Sequence, residues 1–324
     1  MAGRVELALA ALEAGDTAGF EAMLRANPGL AREGGTNGNT LLNLAVSLAG
    51  RDAGTGGLSC IKSLLSAGAD VNEGNVHGWT PLHAAAYSNR PDIAALLLEH
   101  GATPHAEARG AGGTPLVVAL FWGHREAAEL LGQHSTAPGN LRVAAGLGVP
   151  DLVDACFHSN GALTTQACAA RGFYRPHSGF PEWQPSNDPQ ELLDEALVWA
   201  CKSDRVGVLE RLVRAGARVD SDPYRGTPLI WAAFCNRTEA VTWLLDHGAN
   251  VNQKATFGGA THGQGITALH MAAQNGHLAV VKLLVQRGAD LSLKDDLYDS
   301  TAESAAAHFG QNEVRDYLRS PTPV

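Results

Sequence analysis

Cysteine and histidine are the side chains here most able to do chemistry near neutral pH, and Cys156, His158, Cys168 and His177 fall within a short stretch. Thiolate and imidazole are the ligand types zinc takes. The spacing, however, is Cys-x-His followed by a Cys with an eight-residue gap to the next His, which is not a zinc pattern, so no metal or cofactor is expected. A wider constellation comprises Arg175, His177, Glu182 and Trp183 in one segment, Tyr224 and Arg225 in another, and Phe257 and His262 in a third. Brought together, these would supply an anion clamp, an imidazole titrating near neutral pH, a carboxylate and aromatic walls, the components of a small-molecule pocket. The chain has no Gly-x-Ser-x-Gly elbow, no phosphate-binding Gly-x-x-x-x-Gly-Lys-Ser/Thr loop, no Cys-x-x-Cys and no His-Glu-x-x-His. It therefore reads as non-enzymatic, with the composite pocket as the alternative to a binding surface.

The elements that must position these groups are repeats. A tetrapeptide returns as Thr80-Pro81-Leu82-His83, Thr114-Pro115-Leu116-Val117, Thr227-Pro228-Leu229-Ile230 and Thr267-Ala268-Leu269-His270, with a worn copy at Thr301. Each opens a helical pattern, and a Gly-Ala terminator comes about twenty residues later in most of them. Thr is a good N-cap, Pro loses nothing in the first helical turn, and Gly68, Gly101, Gly216, Gly248 and Gly288 suit left-handed C-caps. Such units cannot bury their apolar faces alone and must stack on their neighbours.

The segments GWTPLHAAAYSNRPDIAALLLEHGAT around Thr80 and GITALHMAAQNGHLAVVKLLVQRGADL around Thr267 resemble the ankyrin repeat, and the resemblance covers nearly the whole chain except 165–189. It implies an all-α solenoid of about nine helix-turn-helix units with short β-hairpin-like connections. One solenoid over 1–324 is expected: an N-terminal capping unit at 4–33, repeats over 34–164, an inserted loop at 165–189, repeats over 190–295 and a C-terminal capping unit at 296–320. The unit at 139–164 lacks the opening motif and is degenerate. The resemblance also gives structural roles to His83 and His270, which tie the start of a helix to its loop, and explains why His100, His124, His247 and His277 recur.

In the repeat pattern the two residues after the Ala pair point into the concave face. Those pairs are Tyr87 and Ser88, Phe121 and Trp122, Lys202 and Ser203, Phe234 and Cys235, Gln274 and Asn275, and His308 and Phe309. Aromatic residues make up only 6% of the chain yet enter four of these six pairs, a concentration that suits interface anchors. With His77 and Trp79 from a hairpin, the expected partner-binding set is His77, Trp79, Tyr87, Phe121, Trp122, Phe234, Gln274, His308 and Phe309, and the expected partner is a protein. The insertion at 165–189 carries Phe173, Tyr174, Phe180 and Trp183, too many aromatics for a disordered linker, and reads as an ordered loop. The long finger at 252–266 rises from the same edge.

A net charge of −9 argues against nucleic acid. Five scattered cysteines suit reduced thiols. Glu6 and Glu13 interrupt the apolar N-terminus, so no leader or membrane span is expected. A monomeric cytoplasmic interaction module is the expectation.

Overall fold

The computed structural model describes residues 3–51, 56–109, 112–135, 140–172, 186–223, 225–255 and 264–320. Among them the chain is all-helical, with eighteen α-helices, three short 3-10 turns and no strand. Isolated antiparallel bridges at Gly34–Thr40, Phe157–Leu163, Ala255–Ile266 and Lys294–Thr301 mark the hairpin-like connections. No helix is long and apolar enough to cross a membrane. The helices fall into two compact units.

Unit 1 holds α1 (Arg4–Glu13), α2 (Thr17–Ala26), α3 (Leu41–Arg51), α4 (Gly56–Ser66), α5 (Pro81–Tyr87), α6 (Pro91–Glu99), α7 (Pro115–Trp122) and α8 (Arg125–His134). First helices pack on first helices, α3 on α5 on α7, and second helices form another row, with α2 on α4 and α6 on α8. Unit 2 repeats the scheme. Its inner row is α9 (Leu141–Leu147), α11 (Pro189–Lys202), α13 (Pro228–Phe234), α15 (Ala268–Gln274) and α17 (Ala302–His308). Its outer row is α10 (Pro150–Asp154), α12 (Val206–Arg214), α14 (Thr238–Asp246), α16 (Leu278–Gln286) and α18 (Asn312–Arg319). Outer helices bury residues at a spacing of three or four, such as Ile93 with Leu97, Val208 with Leu212 and Val314 with Leu318.

The helix starts follow from the motif. Thr114 and Thr227 cap α7 and α13 by accepting from the Val117 and Ile230 N–H groups at 3.4 and 3.2 Å. In α5 the backbone N–H of Thr80 donates to His83 Nδ1 at 3.2 Å and Thr80 Oγ1 lies 2.8 Å from the same nitrogen. Nδ1 is thus the acceptor, and the protonated Nε2 donates to the Gly113 carbonyl at 2.9 Å, fastening one repeat to the next hairpin. His270 repeats this with Thr267 and the Ser300 carbonyl. At the other end, Gly288 has φ 87° and lets the Ala289 N–H reach back to the Leu284 carbonyl at 3.0 Å.

This geometry makes His83 pH-sensitive. Burial, opposed only in part by the bond to Gly113, pushes its pKa down to about 4, and burial lowers that of His270 as well. A folded-state pKa below the unfolded value near 6.5 means the unfolded chain binds more protons between these limits. Stability held above pH 6.5 is then lost as pH falls toward 4, by up to about 3 kcal/mol for His83. Urea unfolding between pH 7.5 and 4.5 should show this loss, and a His83→Gln variant should show a shallower one; equal slopes would refute the assignment.

The degenerate repeat departs from the others in both helices. Asn140 replaces the capping Thr, accepting from Arg142 N at 3.0 Å and Val143 N at 3.4 Å. Its outer helix α10 stops after five residues, where other outer helices of unit 2 run eight or nine. A recess of about 700 Å³ opens there, walled by Phe157, Leu163, Cys168 and Leu193. Conversely, α11 is fourteen residues long, opened by Asp188 and Pro189. Of the 165–189 insertion, residues 173–185 lie outside the described residues. Its two ends meet: Arg171 Nη1 donates to the Ser186 carbonyl, and Glu191 accepts from both Arg171 Nη2 and Ser186 Oγ, at 2.8 and 2.6 Å.

Candidate functional site

In unit 1 the hairpin before α5 and the C-terminal ends of α5 and α7 bring four aromatic rings into a chain. Trp79 lies 6.3 Å from Tyr87 at 72°, Tyr87 5.6 Å from Trp122 at 88°, and Trp122 5.2 Å from Phe121 at 82°. These are edge-to-face contacts, the favoured arrangement for ring quadrupoles. The Arg109 guanidinium sits 5.5 Å above the Trp79 ring. Tyr87 is 37% exposed and Trp79 and Trp122 are half-buried, while His77 is exposed on the hairpin. Phe121 differs from the expectation: it is only 7% exposed. Adjacent residues of a helix point about 100° apart, so when Trp122 faces outward Phe121 turns into the repeat core.

In unit 2 the same inner-helix face carries cations stacked on indoles. The Arg142 guanidinium of α9 lies 4.7 Å from the Trp199 ring of α11, and Lys202 Nζ of α11 lies 3.3 Å from the Trp231 ring of α13. The Trp231 ring in turn meets Phe234 edge-to-face at 5.7 Å. All but Phe234 are buried. Glu195 accepts from Arg142 Nη1 through one oxygen at 2.8 Å and from Arg171 Nε through the other at 2.8 Å. Burial pushes the Lys202 pKa down to about 7, with Cys235 and Glu195 pulling it up and Arg142 pushing it further down. Burial likewise raises the Cys235 thiol to about 11 and lowers the Arg142 guanidinium, which Glu195 holds in its charged form. A cation–indole contact removed from water is worth on the order of 2 kcal/mol, so these stacks help offset the cost of burying charge.

The sequence reading placed Lys202 and Ser203 on an open concave face, but both are buried. It missed Arg142, Glu195, Trp199 and Trp231. A signal existed for the tryptophans: Trp199 and Trp231 each immediately precede the small-residue pair, Ala200-Cys201 and Ala232-Ala233, of consecutive repeats. Gln274 is half-buried, and His308 and Phe309 are exposed with their rings 5.0 Å apart at 83°. Of the composite pocket, Arg175, His177, Glu182, Trp183, Tyr224, Phe257 and His262 lie outside the described residues. Arg225 is described and is buried at 7% exposure with φ 55°. Cys156 is buried, and burial followed by the neighbouring Cys168 pushes its thiol up to about 11.

Comparison with known proteins agrees with the repeat reading. A model described as ankyrin repeats (3 copies) matches residues 7–108, 52–142 and 178–255, and one for a single ankyrin repeat matches 264–296. The chain is 31% identical over 239 residues to the ankyrin repeat and KH domain-containing protein mask-1 of Caenorhabditis elegans, covering 73% of this chain and 8% of that protein. It is 26% identical over 239 residues to the ankyrin repeat domain-containing protein SAT10 of Stachybotrys chartarum, covering 72% and 11%. It is 47% identical over 60 residues to the 2-5A-dependent ribonuclease of Mus musculus, covering 18% and 8%. The chain thus spans about a tenth of the length of these relatives.

Proposed function

The chain belongs to the ankyrin-repeat family, and on that premise we propose that it is a protein-recognition module whose unit 1 holds a partner against the Trp79, Tyr87 and Trp122 rings. Ankyrin repeats are generally protein-interaction modules. The observation that carries the reading is the run of aromatic rings, presented rather than sealed: Tyr87 is 37% exposed while held edge-to-face between two tryptophans. Rigid aromatic anchors lose little entropy on binding and dominate interface energies. His77 on the hairpin, and Phe234, Gln274, His308 and Phe309 on the inner helices of unit 2, belong to the same proposal. Phe121 supports the face from within.

The experiment is an affinity capture comparing the protein with a Tyr87→Ala/Trp122→Ala variant. A partner retained by the former and lost by the variant, with both melting at nearly the same temperature, supports the reading. Equal retention by both would end it.

A further inference from the structure

The Arg142 side chain is 2% exposed, and its hydrogen bonding is incomplete. Nη1 donates to Glu195, and the guanidinium carbon lies over the Trp199 ring, 4.7 Å from its centroid. Nε and Nη2 are left buried with no hydrogen-bond partner. Buried donors of this kind are rare and call for an explanation. On the adjoining helix, Glu195, Trp199, Lys202 and Ser203 share one stripe, and the wholly buried Ser203 hydroxyl also has no hydrogen-bond partner.

We propose that the Nε–Nη2 edge of Arg142 is a binding site for a small oxyanion, a carboxylate or a phosphate, enclosed among the inner helices of unit 2. The edge presents two parallel N–H donors, the fork that matches two oxygens of either group. Two further cations stand near: Arg171 shares Glu195 with Arg142, and the charge of Arg142 is felt at Lys202. Because the edge has no contact with solvent, the ligand is a small enclosed anion and not a peptide lying on the surface. The Trp199 indole supplies a wall for an apolar substituent and a fluorescent reporter. This site goes beyond the aromatic face of unit 1, and its failure leaves that reading intact.

The test follows melting temperature and tryptophan emission of the full chain in inorganic phosphate, sodium acetate or sodium chloride at equal ionic strength. A bound oxyanion at about 100 times its Kd raises the melting temperature by roughly 5 °C or more over chloride. Action by acetate alone assigns a carboxylate, and action by phosphate alone a phosphate. Arg142→Lys keeps the charge but loses the fork, so it should abolish the shift. Identical melting in all three salts overturns the site, and so does a shift that persists in Arg142→Lys. Should that variant not fold, Trp199→Phe decides: an emission change with the active anion that survives removal of Trp199 overturns the site as well.

Discussion

Replacing Glu195 by alanine lowers the stability of unit 2 by about 3–5 kcal/mol. The carboxylate is 5% exposed and is shared by two guanidinium groups that are themselves 2% and 4% exposed. Removing it takes from Arg142 the partner of its Nη1, beside two nitrogens already without one, and takes from Arg171 one of its two carboxylates. Breaking one member of a buried network costs more than the network is worth, because the uncompensated charge stays buried. Removing Arg142 as well takes away one of the two stranded charges, so Arg142→Met/Glu195→Leu is expected to recover the part of the loss due to Arg142. Urea unfolding of the three proteins checks both statements. A single-variant loss below about 1 kcal/mol, the value expected of an exposed pair, would mean that these groups are not enclosed as described.

Phe121→Ala should cost about 3–5 kcal/mol of stability, whereas Tyr87→Ala should cost under about 1 kcal/mol. The two residues hold comparable positions in successive repeats but differ in exposure, 7% against 37%. Truncating Phe121 leaves a cavity in the repeat core, while truncating Tyr87 mainly exposes the edges of Trp79 and Trp122. Partner affinity should reverse the order, falling more with Tyr87→Ala. Melting curves and partner titration on the same two variants separate support from contact, and a Tyr87→Ala variant as unstable as Phe121→Ala would move Tyr87 into the core.

The architecture was legible because its determinants are local. Thr80, Pro81 and His83 lie within four residues and make a capping arrangement whose parts are all visible in the sequence. Much of the unit 2 interior was not legible, because its parts meet only through stacking. Arg142 and Glu195 are 53 residues apart and Arg171 and Glu195 are 24 apart, and neither separation corresponds to a repeat period. In the motif register Glu195 takes the place of the capping threonine, which reads as a lost cap until α11 proves to begin at Pro189. The rule for adjacent groove residues treated Phe121 and Trp122 alike, although helical geometry sends neighbours to different sides. The early end of α10 had no single cause visible in the sequence: Pro150 marks its start, but the Phe157–Leu163 bridge that follows it forms across a turn.

The Arg171–Ser186 closure has an evolutionary corollary. A chain that leaves and re-enters a scaffold at one clasped point can change length between those residues without shifting any helix on either side. The closure entropy grows only logarithmically, about 0.6 kcal/mol per doubling of the segment. The clasp is therefore a cassette boundary, where sequence of another length can be exchanged while the repeats on either side keep their register.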